Sequence, residues 1–291
     1  MHFPYGEILP EIPAEFVPPD MWPEYGALAD PVPICRRELV SESPVAVRWG
    51  VWPLFFEQYW GDQAPDLGAS GKRGELAYNR LVLWRRLHDG PAPRGWHRAM
   101  GRTVRVDGYQ RLEGDFTTRW NKNARRDLRL WQADYLNKTH HIEPVSFDEY
   151  AIAYKKSLIS KREGNYRLNE LEHKLTVPLS REHTIMLGVR NRSGDIVAGS
   201  AVIFSPICKS STHLAPFIKE EGRATYAATA LIHHWFEESL RRGLPVVMST
   251  NFWHPGKPKS WKGFSEFKSH FGFQFVEYPP ALWRFKSGKL L

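Results

Sequence analysis

Cysteine is nearly absent from this chain: two residues, Cys35 and Cys208, among 291. That count builds neither a disulfide framework nor a zinc knuckle and points to a reducing compartment. No apolar run approaches the length that spans a bilayer. The opening stretch MHFPYGEILPEIPAEFVPP has neither a basic start nor a continuous apolar run, so no secretory leader is expected. The expected location is the cytoplasm, with room for peripheral contact at a membrane surface. The chain lacks a GxSxG elbow, a Walker-type phosphate loop and a cysteine–histidine signature. Its two histidine pairs, His140–His141 and His233–His234, are adjacent in sequence. Neighbours on a helix or strand point apart, so they make poor joint ligands and no metal is expected.

What is present favours a folded, basic protein. Hydrophobic residues make up 42%, enough for a sizeable core in one large domain or two small ones. Twelve tryptophans serve either that core or stacking surfaces in a groove. The net charge of +8 is unevenly spread: residues 1–70 carry 3 basic and 11 acidic side chains, the remainder 37 and 21. A basic body calls for an anionic partner, whether nucleic acid, phosphorylated cofactor or phospholipid.

Residues 1–33 are proline-rich and read as an extended arm lying on the fold. Val45–Val51 reads as a strand and residues 61–75 as a loop. Residues 75–87 fit strand or helix equally. GRTVRV, residues 101–106, alternates like a strand. Residues 118–136 are the clearest helix: Trp120, Ala124, Leu128, Trp131 and Tyr135 form one apolar stripe. Arg119, Lys122, Arg126 and Arg129 form a second stripe, with Arg125 beside it. Helices over 146–162 and 167–177, broken at Gly164, precede a hairpin of 184–190 and 196–204, then a strand over 211–217. A strong helix spans 224–242 and stops at Gly243. A short strand at 245–249, a loop, a phenylalanine-rich helix and two strands near 273–277 and 282–285 complete the chain. This alternation predicts an α/β or α+β layered fold.

The stretch GFSEFKSHFGF, residues 263–273, sets one cation among four phenylalanines. Phe264, Phe267 and Phe271 share a helical face, and Lys268 lies one position from it. Lys268 is then either a snorkelling surface lysine or a fixed charge at a pocket edge.

Three segments in order carry a family resemblance. TVRVDG is followed after a short gap by WNKNARRDLRLWQ. The helix 224–242 ends in Gly243 and feeds a strand. The late stretch supplies Phe267, Lys268, Phe271 and Gly272 in a Phe–Lys–x–x–Phe–Gly arrangement. Together they resemble the FemAB-like branch of the GNAT superfamily of N-acyltransferases, over roughly residues 101–285. The resemblance implies a mixed sheet flanked by helices. A degenerate duplication would make two tandem GNAT-like halves: a proline-rich arm over 1–40, an N-terminal half over 41–117 and a C-terminal half over 118–291. One departure stands out. Where the family often carries an aspartate at the strand end after the helix, this chain has MSTN, residues 248–251.

The resemblance implies transfer of an acyl or aminoacyl group from acyl-CoA or aminoacyl-tRNA to an amine, without a metal. The acceptor ranges from a phosphorylated lipid-linked cell-envelope precursor to a small metabolite or a protein. It places Lys268 at the active site with Phe267 beside it, and Tyr226, Asn251 and Trp253 along a cleft where strand 245–249 splays from its neighbour. Arg125 and Arg126 become anion contacts. KEEGRATYA, residues 219–227, loosely fits the superfamily's pyrophosphate turn through Lys219, Gly222 and Ala224, although a plain helix-starting turn fits it as well. No general base stands out; His254 and His270 are nearest in sequence. Two rival readings remain: a non-catalytic nucleic-acid binder, and a GNAT-like scaffold without activity.

Overall fold

The alternating run NRLVLWR, ambiguous in sequence, is a strand, and its even positions are buried: Val82 and Trp84 cluster with Tyr59, Leu67, Trp96 and Leu282, and Arg80 bonds Glu57 and the Leu67 carbonyl. The computed structural model describes residues 3–25, 38–42, 45–51, 54–65, 67, 79–99 and 105–287. Residues 101–104 of the expected strand GRTVRV lie outside them, as does most of the loop expected over 61–75.

Two mixed sheets organise the chain. The six-stranded sheet has the order β1-β2-β3-β4-β13-β5, built from β1 Glu38–Glu42, β2 Val45–Val51, β3 Leu54–Trp60, β4 Asn79–Arg85, β5 His97–Arg98 and β13 Leu282–Lys286. The seven-stranded sheet runs β12-β6-β11-β10-β9-β8-β7. Its members are β6 Arg105–Arg111, β7 His140–Pro144, β8 Thr184–Asn191, β9 Ile196–Ser205, β10 Ser210–Ile218, β11 Val246–Ser249 and β12 Gln274–Tyr278. The sheets do not respect a cut at residue 117: β6, before it, pairs with β11 and β12, while β13, near the chain's end, pairs with β4.

The apolar stripe expected over 118–136 is buried at Trp120, Ala124, Leu128 and Trp131, but the helix is not continuous. A 3-10 turn over Phe116–Arg119 stops at Trp120, whose extended backbone breaks it. Asn121 then caps α1, Lys122–Leu130, by accepting from the Ala124 amide at 2.9 Å. A π-helical turn, Trp131–Tyr135, closes the segment. The region 146–177 divides further than expected: α2 Phe147–Lys155, α3 Leu158–Glu163 and α4 Tyr166–Leu175. Ser157 caps α3, and Gly164, with φ of 69°, ends it. After α5, Pro178–Glu182, and the expected hairpin β8–β9, the helix expected over 224–242 is α7 Ala227–Arg241, preceded by a short α6 Glu220–Ala224. The hinge is Tyr226, whose φ of 58° is left-handed and cannot continue a helix. The last helix is α8, Lys262–Ser269.

One core gathers α1, α7 and the Phe252–Phe271–Phe273 group against β6, β9 and β11. Another packs α2 and α4 on β9 and β10. Residues 3–25 lie along the sheet: the Leu9 amide donates to the Phe275 carbonyl at 2.7 Å, and Phe16 stacks on Tyr109 at 4.3 Å.

Candidate active site

Parallel strands β10 and β11 pair over three residues only, ending at Thr212 beside Met248. β10 continues to Ile218, while β11 stops at Ser249. Both backbones then turn through left-handed residues, Ala215 (φ 48°) on β10 and Asn251 (φ 59°) after β11. The ladder cannot extend past them, and the strands part.

The four residues after Ser249 are individually held. The Thr250 carbonyl accepts from Lys268 Nζ at 2.6 Å. The Asn251 amide donates to Asp107 Oδ1 at 2.8 Å. The Phe252 amide donates to the Val106 carbonyl at 2.8 Å, and the Trp253 amide to Ser265 Oγ at 2.7 Å. Gly108 makes this possible, since a Cβ there would meet the Phe252 ring at 2.8 Å.

Lys268 is the inverse of a snorkelling lysine. It is 2% exposed, whereas Phe264 on the same helix is 40% exposed. Its Nζ lies 4.2 Å from the centroid of Phe252 and 4.9 Å from that of Phe264. Burial, opposed by Asp107 and reinforced by Arg167 and Arg105, brings its pKa down to about 7.

Two neighbours of Lys268 were not picked out from sequence. Asp107, fully buried on β6, lies on the strand that pairs with β11. Its signal was present: aspartate followed by glycine inside RVDGYQR, two residue types that strands disfavour. The second is His213 on β10, with its ring stacked on Trp235 (4.8 Å) and on Phe264 (6.3 Å). Nε2 lies 3.3 Å from Ser249 Oγ, while Nδ1 is buried with no partner. Burial, then the Lys268 and Arg167 cations, hold this imidazole down at about 3, so it is neutral at physiological pH. A lone histidine in STHLAPF carries no sequence signal for that placement.

The other expected residues fall into four places. Asn251 and Trp253 sit in the held loop, Trp253 with Lys262 Nζ 5.6 Å over its ring. Phe267 is partly buried against Phe271 at 5.0 Å. Arg125 and Arg126 are exposed on α1, whose start abuts the end of α8 through the Asn121 amide and the His270 carbonyl, 2.9 Å apart. Lys219, Gly222, Ala224 and Tyr226 gather at the far end of β10. There a Cβ on Gly222 would meet the Val197 carbonyl oxygen at 2.6 Å. The Lys219 amide donates to the same carbonyl at 2.8 Å. Glu220 and Glu221 occupy the first turn of α6. Tyr226 packs on Tyr135 at 6.3 Å.

No protein-family model and no curated protein matches the chain. Solved structures do match it. The crystal structure of FemX aligns with a TM-score of 0.56 over 86% of this chain and 87% of that one, at 10% identity. L-PGS from Bacillus licheniformis aligns with a TM-score of 0.53 over 90% and 86%, at 14% identity. The C-terminal domain of a putative lysylphosphatidylglycerol synthetase from Agrobacterium fabrum gives 0.52 over 88% and 84%, at 12% identity. The chain therefore shares the fold of FemX and of these two synthetase structures, with mixed sheets flanked by helices.

Proposed function

We propose that the chain is an N-acyltransferase that moves an acyl or aminoacyl group from acyl-CoA or aminoacyl-tRNA onto an amine, at the parting of β10 and β11. The observation that carries this reading is Lys268. A buried cation is costly unless paired. Among the described residues, this one hydrogen-bonds a single carbonyl, which leaves donor capacity for an anion.

In the reaction the amine nitrogen bonds to the donor carbonyl carbon. The carbonyl oxygen takes up negative charge, then re-forms its double bond as the bond to the CoA sulfur or tRNA ribose oxygen breaks. The ammonium form of Lys268 stabilises the oxyanion. A pKa of about 7 also suits passing a proton to the leaving group and receiving one from the amine. Asn251, Trp253, Phe267 and Tyr226 are assigned to the walls. Arg125 and Arg126 are assigned to anionic parts of donor or acceptor. Lys219, Gly222 and Ala224 are assigned to starting the helix, because a carbonyl fills the space beside Gly222 and two glutamates would repel a pyrophosphate. The neighbour named as a putative lysylphosphatidylglycerol synthetase favours an aminoacyl group as the one moved.

Binding titrations of acetyl-CoA and of mixed aminoacyl-tRNA, against wild type and Lys268→Ala, test this. One donor should bind, and the substitution should weaken it by about 1–3 kcal/mol. Equal binding of any polyanion by both proteins would favour the nucleic-acid reading, carried by the exposed cations of α1. Binding of neither donor would favour an inactive scaffold.

A further inference from the structure

The Lys268 site connects to the N-terminal arm through a chain of charges. Asp20 lies in a 3-10 turn of the arm, Pro19–Met21. Its carboxylate accepts from Arg105 Nη1 on β6. The same guanidinium donates from Nε to both oxygens of Asp107, at 2.9 and 2.8 Å, and places Nη2 2.7 Å from Oδ2. Asp107 in turn accepts the Asn251 amide. The rings of Trp60 and Tyr278 flank the guanidinium at 5.3 and 5.8 Å. Burial would raise the Asp20 carboxyl, but Arg105 outweighs it and holds the group below its ordinary value.

We propose that Asp20 is a positioning residue for the Lys268 site: it holds Arg105, which holds Asp107, which holds the amide of the peptide whose carbonyl Lys268 grips. The proposal rests on reading Lys268 as the functional group of that site. Arg105 is shared by two carboxylates, so Asp20 neutralises a cation that would otherwise disfavour the Lys268 ammonium. Among the described residues, the charged or titratable groups facing Lys268 are Asp107 and Arg105 from β6, His213 from β10 and Arg167 from α4. Among the described residues none of these groups lies on the arm, so the contacts link Asp20 to the site through Arg105 and Asp107.

The test is a titration of Lys268 itself in the full chain, with carbon-13 at lysine Cε, assigned by loss of its signal in Lys268→Met. Asp20→Asn should lower the Lys268 midpoint by about half a pH unit or more. Asp20→Glu should restore it. A merely structural arm would change the melting temperature and leave the midpoint alone. An unmoved midpoint in folded Asp20→Asn overturns the proposal. Should that variant not fold, Asp20→Ser, which keeps an acceptor for Arg105 but no charge, takes its place with the same two outcomes. The titration needs no donor, so it reads out even if acyl transfer proves to be the wrong activity.

Discussion

Lys268 and Asp107 hold opposite ends of one peptide group, the ammonium on the Thr250 carbonyl and the carboxylate on the Asn251 N–H. A trans peptide points these two groups in opposite directions, so a cation from α8 and an anion from β6 polarise the same unit from its two sides. That arrangement holds Asn251 in its left-handed conformation and stops β11 from following β10.

Stability should depend on pH through Lys268. Its folded-state pKa of about 7 lies below the unfolded value, so between these two limits the unfolded chain holds a proton that the folded chain has lost. Stability contributed by this group therefore rises with pH across that window. Relative to Lys268→Met, wild type should gain on the order of 3 kcal/mol between about pH 7 and about pH 9.5. Urea melts at the two pH values check this; parallel curves would mean that the lysine is not buried as described.

His213 should contribute acid lability. Its folded pKa of about 3 is depressed, so stability is present above the ordinary histidine range and falls as pH drops toward 3. His213→Phe keeps the stack with Trp235 and Phe264 and removes the titration. Because one edge of the ring is partly exposed, the difference between wild type and variant should be only about 1 kcal/mol between about pH 6.5 and about pH 4.5. Equal acid midpoints for the two proteins would refute it.

The cations of α1 should act additively and in a salt-dependent way. Arg125→Gln with Arg126→Gln should lower the slope of log affinity against log salt by about 1.5 for an RNA donor. Donor binding measured across a salt series reads this directly. An unchanged slope would remove both residues from the donor surface.

Gly222→Ala should destabilise by about 1–3 kcal/mol, because the new methyl meets a backbone carbonyl rather than a movable side chain. Chemical denaturation measures it. A neutral substitution would mean that the Val197 carbonyl yields, reopening the turn to a phosphate.

Much of the fold was legible because periodicity reports burial. The stripe Trp120–Ala124–Leu128–Trp131, the hairpin β8–β9, the stop at Gly243 and the late strands all follow from local pattern and turn chemistry. The breaks at Trp120, Ser157 and Tyr226 were not legible, since each is set by a cap or a left-handed residue whose conformation depends on packing. At the site, the sequence by itself marked Lys268 as a cation out of place among phenylalanines. Only the tertiary structure decided that it is buried, that its helix exposes Phe264 instead, and that Asp20, Arg105 and Asp107 form a chain of ion pairs ending on the Asn251 amide. A helix face has a period that a sequence displays. An ion pair between the arm and a strand, such as Asp20 with Arg105, has none, because only tertiary packing brings its members together.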